Sequence, residues 1–380
     1  MFTLIEHGEV YTPAPIGVQS LLVCQDKIVK IGPTDAAALA SMGLPYHRID
    51  ATGCIITPGF IDPHQHLIGA AGEAGFASRM PEVALHDIVS AGITTVVGCL
   101  GTDTVTRQLT ALLGKARQLQ AQGITAYIYT GGFQVPTPTI TSSVMHDLIL
   151  IDAVIGVGEI AIADVRSSQP SAPELARLVS EAMVGGMVAG KAGVTHVHVG
   201  PGQSRLALLH ALLDQYEVSA AHLYATHINR SWELMDEAIP LARRGAYIDL
   251  DTIDEDLSQW LRYYREHDGP LSQVTVSSDA HTLGGSPHKF YQQFVASASA
   301  EGLSLEDVLP LFTCNTARVL HLDNKGRVQV NMDADLLILD AQTLRIVHVL
   351  ARGRQMVRHG QVVGAEEREG ERCSQRGPSS

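Results

Sequence analysis

No Cys-x-x-Cys pair, no block of lysine and arginine, and no apolar run long enough to cross a bilayer occurs in this chain. The five cysteines, Cys24, Cys54, Cys99, Cys314 and Cys373, are scattered and odd in number, which argues against both a disulfide framework and a thiolate zinc knuckle and fits a reducing cytoplasm. Acidic residues outnumber basic ones, 40 against 27, for a formal net charge of -13, and no basic cluster exists to follow a phosphate backbone, so nucleic acid is not an expected partner. The start of the chain shows neither a basic nor a long apolar leader segment, and a soluble cytoplasmic protein with no membrane partner is the expectation. Charged residues make up only 18% of the 380 and apolar ones 45%, enough to fill a large core.

What is present is a series of short apolar runs, several with a histidine or carboxylate at or just beyond the end. Strand-like stretches at 55–61, 94–97, 125–129, 154–162, 195–199, 222–226, 246–250 and 274–277 alternate with helical compositions at 107–120, 174–187, 205–215, 234–243 and 258–266. Eight such units predict an α/β fold, a (β/α)8 barrel of the TIM type over 58–321, in which the polar strand ends share one rim. Short β-branched stretches in 1–57 and 322–365, among them 326–330, lack a partner of their own and are expected to pair into one small β-sandwich domain. Residues 366–380 have no apolar periodicity and read as a disordered tail.

His64 and His66 lie two residues apart at the end of the first run, so a strand directs both imidazoles to one side. Glu159, His198, His227 and Asp279 sit at or just beyond the ends of later runs. Together they offer nitrogen and oxygen for two divalent ions, zinc being the expected metal. His64 and His66 are assigned to one ion, His198 and His227 to the other, Glu159 to both, and Asp279 to the first ion and to proton transfer. His196 shares a face with His198 and is expected one layer deeper or as a support for it.

The segments 58–69, Gly72-Glu-Ala-Gly75, 78–85, 96–103, Thr226-His-Ile-Asn-Arg230 and 276–279 resemble the isoaspartyl (β-aspartyl) dipeptidases of the amidohydrolase superfamily. The resemblance implies a metalloenzyme that cleaves the β-linked peptide bond after isoaspartate in small dipeptides, and a homo-oligomer that in relatives reaches an octamer. It also implies that Glu73 receives the substrate ammonium and Arg166 and Arg230 its carboxylates, with Thr102 and Ser286 near the substrate.

Two positions depart from the family pattern. Glu159 stands where a carboxylated lysine bridges the metals, and its shorter arm calls for a bulge near Gly158. Phe133 stands where a tyrosine hydroxyl polarises the scissile carbonyl, leaving Tyr129, Gln134 and His281 as candidate replacements. These departures leave open an amidohydrolase acting on cyclic amides or N-acyl amino acids and, as a third reading, a barrel kept for binding alone.

Overall fold

The computed structural model describes residues 2–364 apart from 42, 44, 254 and 255; the tail expected at 366–380 lies outside the described residues. Its centre is an eight-stranded parallel barrel: β1 (Phe60–Gln65), β2 (Ile93–Gly98), β3 (Thr125–Thr130), β4 (Val154–Ile162), β5 (Val194–Val199), β6 (Leu223–Thr226), β7 (Tyr247–Asp251) and β8 (Val274–Ser277). Each strand pairs with its sequence neighbour, and β1 and β8 meet through a parallel bridge between Gln65 and Ala280. Seven of the eight strands are buried along their whole length, and in β3 only Thr125 and Tyr127 are partly exposed, because helices cover the outside and side chains fill the inside.

The helices arise where the helical compositions lie, and their ends follow local capping chemistry. The helix Ala172–Ala189 starts at a capping box in which Ser171 and Glu174 satisfy each other's backbone N–H groups, and it stops at Gly190, whose φ of 66° suits glycine. Leu175, Leu178, Val179 and Ala182 recur at helical spacing and are buried against the barrel.

The first apolar run is not one strand but two. Pro58 and Gly59 break it, so Cys54–Pro58 joins a second sheet and only β1 enters the barrel. That second sheet has nine strands, five from the N-terminal side and four from the C-terminal side. The two groups join where Cys54–Pro58 runs antiparallel to Leu336–Asp340. It is mixed, since Phe2–Tyr11 pairs parallel with Tyr46–Asp50 and antiparallel with Pro15–Cys24. The stretch 326–330, expected as a strand, forms turns and coil; only Val328 from it reaches the core of the small sheet.

The barrel interior is layered. Ile61, Val97, Tyr129, Ile155, Val194, Tyr224 and Tyr247 pack as a closed core below the C-terminal ends of the strands. His196 belongs to this floor: it is fully buried, stacks on Tyr129 at 4.9 Å between ring centroids and meets Tyr224 and His64 edge-on at 4.8 Å. Neither of its ring nitrogens has a hydrogen-bond partner among the described residues, and burial, with the charge of His64 beside it, holds its pKa well below the usual value. It is a neutral floor residue and makes no hydrogen bond to His198.

Candidate metal centre

At the C-terminal rim, donor atoms from five strand ends converge. His64 Nε2 lies 3.4 Å from Glu159 Oε2 and 3.4 Å from Asp279 Oδ1, and His66 Nε2 lies 3.7 and 3.1 Å from the same two oxygens. The other carboxylate oxygen of Glu159 faces the opposite way, 2.6 Å from His198 Nδ1 and 3.1 Å from His227 Nε2. One carboxylate therefore faces two histidine pairs, each oxygen turned to one pair.

Backbone geometry delivers Glu159 to that position. Between β4 and β5 the register slips by one residue: Thr195 pairs with Val157, but Val197 pairs with Ile160. The extra residue falls at Gly158 and Glu159, a bulge at the position where a short glutamate arm calls for one. Gly158 can sit there only as glycine, because a Cβ would come within 2.7 Å of both the Cβ and the carbonyl oxygen of His196.

Three of the four imidazoles are oriented by oxygen partners from outside the donor set. His227 Nδ1 lies 2.7 Å from Asp251 Oδ2, so that nitrogen carries the hydrogen and Nε2 keeps its lone pair for the site. His64 Nδ1 lies 3.5 Å from the Thr226 hydroxyl, which donates to Asp249 at 2.8 Å; Thr275 and Ser277 also donate to Asp249. His198 Nε2 is 3.0 Å from Asp164, a carboxylate that Arg166 also grips through Nε at 3.0 Å and Nη2 at 2.7 Å. The His198 contact is the largest influence on Asp164 and, with Arg166, overcomes the opposing effect of burial, so that carboxyl stays well below its usual range. Asp62 accepts from Gln65 Nε2 and from the backbone N–H groups of His64 and Ser278, locking the His64–His66 turn to β8.

The residues fit metal ions. Among the described residues, His64 Nε2 and Glu159 Oε2 are buried without a hydrogen-bond partner, an arrangement that costs energy unless a cation completes it. Two groups of donor atoms lie within 4.8 Å of one another: His64, His66, Cys99 and Glu159, and Glu159, His198 and His227. Together they form a binuclear metal-binding site. Burial opposes the charge on Asp279, yet the imidazoles of His64 and His66 outweigh it and hold the carboxyl down to about 2. Burial likewise opposes the charge on Glu159, and His64 and His198 keep its pKa well below the ordinary value.

Above the donors opens a cavity of about 340 Å³, lined in part by Glu73, Thr102, Phe133, Arg166 and Arg230. Thr102 donates to Glu73 Oε1 at 3.0 Å, and Arg166 Nη1 reaches the same oxygen at 3.3 Å. Arg230 is anchored by its bond to the Val199 carbonyl at 2.7 Å. Phe133 packs on the His198 ring at 4.6 Å and beneath the Arg166 guanidinium at 5.2 Å. Ser286 is not among the lining residues; its hydroxyl accepts from Lys289 N–H and caps the helix Pro287–Ala298.

None of the candidate replacements for a tyrosine hydroxyl lines the cavity. Tyr129 lies in the floor, Gln134 donates to the Arg166 carbonyl and His281 contacts the Pro81 carbonyl. Four further residues join the site that the motifs do not mark: Cys99, Asp164, Asp249 and Asp251. The last two had a signal in the alternation Asp249-Leu-Asp251, which places two carboxylates on one face of a buried strand.

Residues 55–363 match the amidohydrolase family. A β-aspartyl dipeptidase from Fervidobacterium islandicum AW-1 is 38% identical, superposes with a TM-score of 0.91, and the alignment covers 96% of this chain and 99% of that one. The same enzyme in complex with a β-Asp-Leu dipeptide gives 37% identity, a TM-score of 0.89 and the same coverage. An adenine deaminase from Geobacillus kaustophilus is 24% identical over 86% of this chain, which spans only 54% of that relative's length.

Proposed function

This chain belongs to the amidohydrolase superfamily and, within it, to the β-aspartyl dipeptidase family, and on that premise we propose that it hydrolyses the β-linked peptide bond of isoaspartyl dipeptides with two divalent ions, zinc by preference. The observation that carries this reading is Glu159, whose two oxygens face His64/His66 on one side and His198/His227 on the other. When bound, two such ions supply a water nucleophile at neutral pH and a Lewis acid for the scissile carbonyl.

The chain's own residues do the rest. A β-aspartyl dipeptide carries one ammonium and two carboxylates, and the cavity wall offers one carboxylate, Glu73, and two guanidiniums, Arg166 and Arg230. Docked between them, the side-chain amide is turned down toward His64, His66 and Asp279 and held there, which converts an encounter into an oriented reaction. Asp279 is the proton carrier. Its Oδ1, beside the His64 and His66 imidazoles, is held ionised and faces the site, ready to take a proton from the attacking water and return it to the leaving amine. Ile253 and Leu283 supply apolar lining to the same cavity.

The decisive assay offers purified, metal-loaded protein β-Asp-Leu, α-Asp-Leu, an N-acetyl amino acid and a hydantoin in parallel. Turnover of β-Asp-Leu in preference to the other three is the expected result. Hydrolysis confined to the acyl amino acid or the hydantoin would reassign the enzyme to the cyclic-amide or deacylase reading.

A further inference from the structure

We infer that Cys99 is a metal ligand, its thiolate joining His64, His66 and Glu159 around the ion on that side of the centre. The inference rests on the binuclear reading above and adds a sulfur donor to what is otherwise a nitrogen and oxygen set.

Cys99 follows directly on β2, and its backbone N–H donates to the Gln65 carbonyl at 3.0 Å, so its position relative to the His64–His66 turn is fixed by the sheet. The side chain is buried, with Sγ 3.6 Å from His66 Nδ1, 4.0 Å from His66 Nε2 and 3.7 Å from the Gln65 carbonyl oxygen. Metal–sulfur and metal–nitrogen bonds of about 2.3 and 2.0 Å put sulfur and nitrogen on one tetrahedral ion roughly 3.5 Å apart. His66 Nε2, the nitrogen turned to Glu159 and Asp279, is 4.0 Å from Sγ, about half an ångström longer than that. A buried thiol with no role besides filling space sits among apolar groups; this one is held against an imidazole, in a group of donor atoms all within 4.8 Å of one another.

The second observation is independent of the cysteine. His64 Nε2 and Glu159 Oε2, both in the same group, are buried and unpartnered. A cation drawn to those atoms arrives within reach of Sγ, and binding releases the thiol proton to solvent as the metal–sulfur bond forms. Cys24, Cys54 and Cys314 belong to no such group among the described residues. A thiolate also changes metal choice: imidazole and carboxylate alone accept manganese, iron, cobalt or zinc, whereas sulfur favours the softer zinc and cobalt over manganese and magnesium.

Cobalt reports the ligand directly. Metal-stripped wild-type protein reloaded with Co2+ is expected to show visible d–d bands and a near-ultraviolet sulfur-to-cobalt charge-transfer band. In Cys99→Ser the visible bands should persist, the near-ultraviolet band should vanish, and cobalt affinity should fall on the order of tenfold. Visible bands without a charge-transfer band in the wild type, or a charge-transfer band that survives in Cys99→Ser, would overturn the assignment while leaving the binuclear centre intact. Failure to take up cobalt at all would overturn the centre together with the ligand. Should Cys99→Ser fail to fold, X-ray absorption on the zinc-loaded wild type decides: a sulfur scatterer at about 2.3 Å supports the thiolate, and a shell of nitrogen and oxygen alone rules it out.

Discussion

Asp251 holds His227 from behind, its Oδ2 2.7 Å from Nδ1, while the Asn229 side chain brackets the Asp251 backbone, donating to its carbonyl at 2.9 Å and accepting from its N–H at 3.1 Å. The Thr226-His-Ile-Asn-Arg230 motif thus works as a unit: Thr226 links His64 to Asp249, His227 faces Glu159, Asn229 fixes Asp251, and Arg230 reaches the cavity. A carboxylate behind a ligating imidazole sets its tautomer and raises its basicity.

Asp251→Asn keeps the shape and removes the charge. Affinity for the metal held by His198 and His227 should fall by about 10- to 100-fold, with the circular dichroism spectrum unchanged. Competition with a chromogenic chelator measures this, and an undiminished affinity would show that Asp251 does not tune His227.

With phenylalanine at position 133, the cavity has no free hydroxyl among the described residues. Thr102 and Thr282 are the hydroxyl-bearing residues of the lining, and their hydroxyls are committed to Glu73 and to the Asp279 carbonyl. Phe133→Tyr adds a phenol on the ring that packs against His198. It should raise kcat on β-Asp-Leu by at least about tenfold, since one well-placed oxyanion donor is worth more than that. An unchanged kcat would remove the missing-donor account of this departure.

How far the residues announced this structure is clear from these cases. The eight strand runs and the rim placement of His64, His66, His198, His227 and Glu159 were legible because buried parallel strands are written as short apolar blocks and because two histidines at period two share a face. The boundary at Pro58 and Gly59 was not, since both sides are apolar and only the sheet each joins tells them apart. Cys99 and Asp164 are not legible in the sequence because single polar residues carry no periodicity; what marks them is a neighbour from a distant strand, His66 for one and His198 for the other. Ser286, expected near the substrate, is the N-cap of the helix Pro287–Ala298, and its hydroxyl accepts from the Lys289 N–H.

The small sheet carries its own pH response. His348 is buried, and that burial, followed by the neighbouring His359 ring at 4.8 Å, lowers its pKa to about 4 from an ordinary 6.5. A lowered folded-state value means that the unfolded chain takes up the proton first. Stability from this group is complete above pH 6.5 and is lost as the pH falls toward 4, with a slope of up to about 1.4 kcal/mol per pH unit. His348→Gln should flatten that loss: urea midpoints of wild type and variant should converge or cross as the pH drops through this window. Parallel curves would show that His348 does not titrate with unfolding.

The most direct test of the central claim, that one glutamate joins two histidine pairs into a working hydrolytic centre, is a metal titration followed by activity. Metal-free protein is titrated with zinc while β-Asp-Leu hydrolysis is recorded, beside Glu159→Gln under the same conditions. Wild-type activity is predicted to rise until two equivalents are bound, and Glu159→Gln to bind fewer and stay inactive. Full activity at one equivalent, or two tightly bound ions and undiminished turnover in Glu159→Gln, would contradict the account.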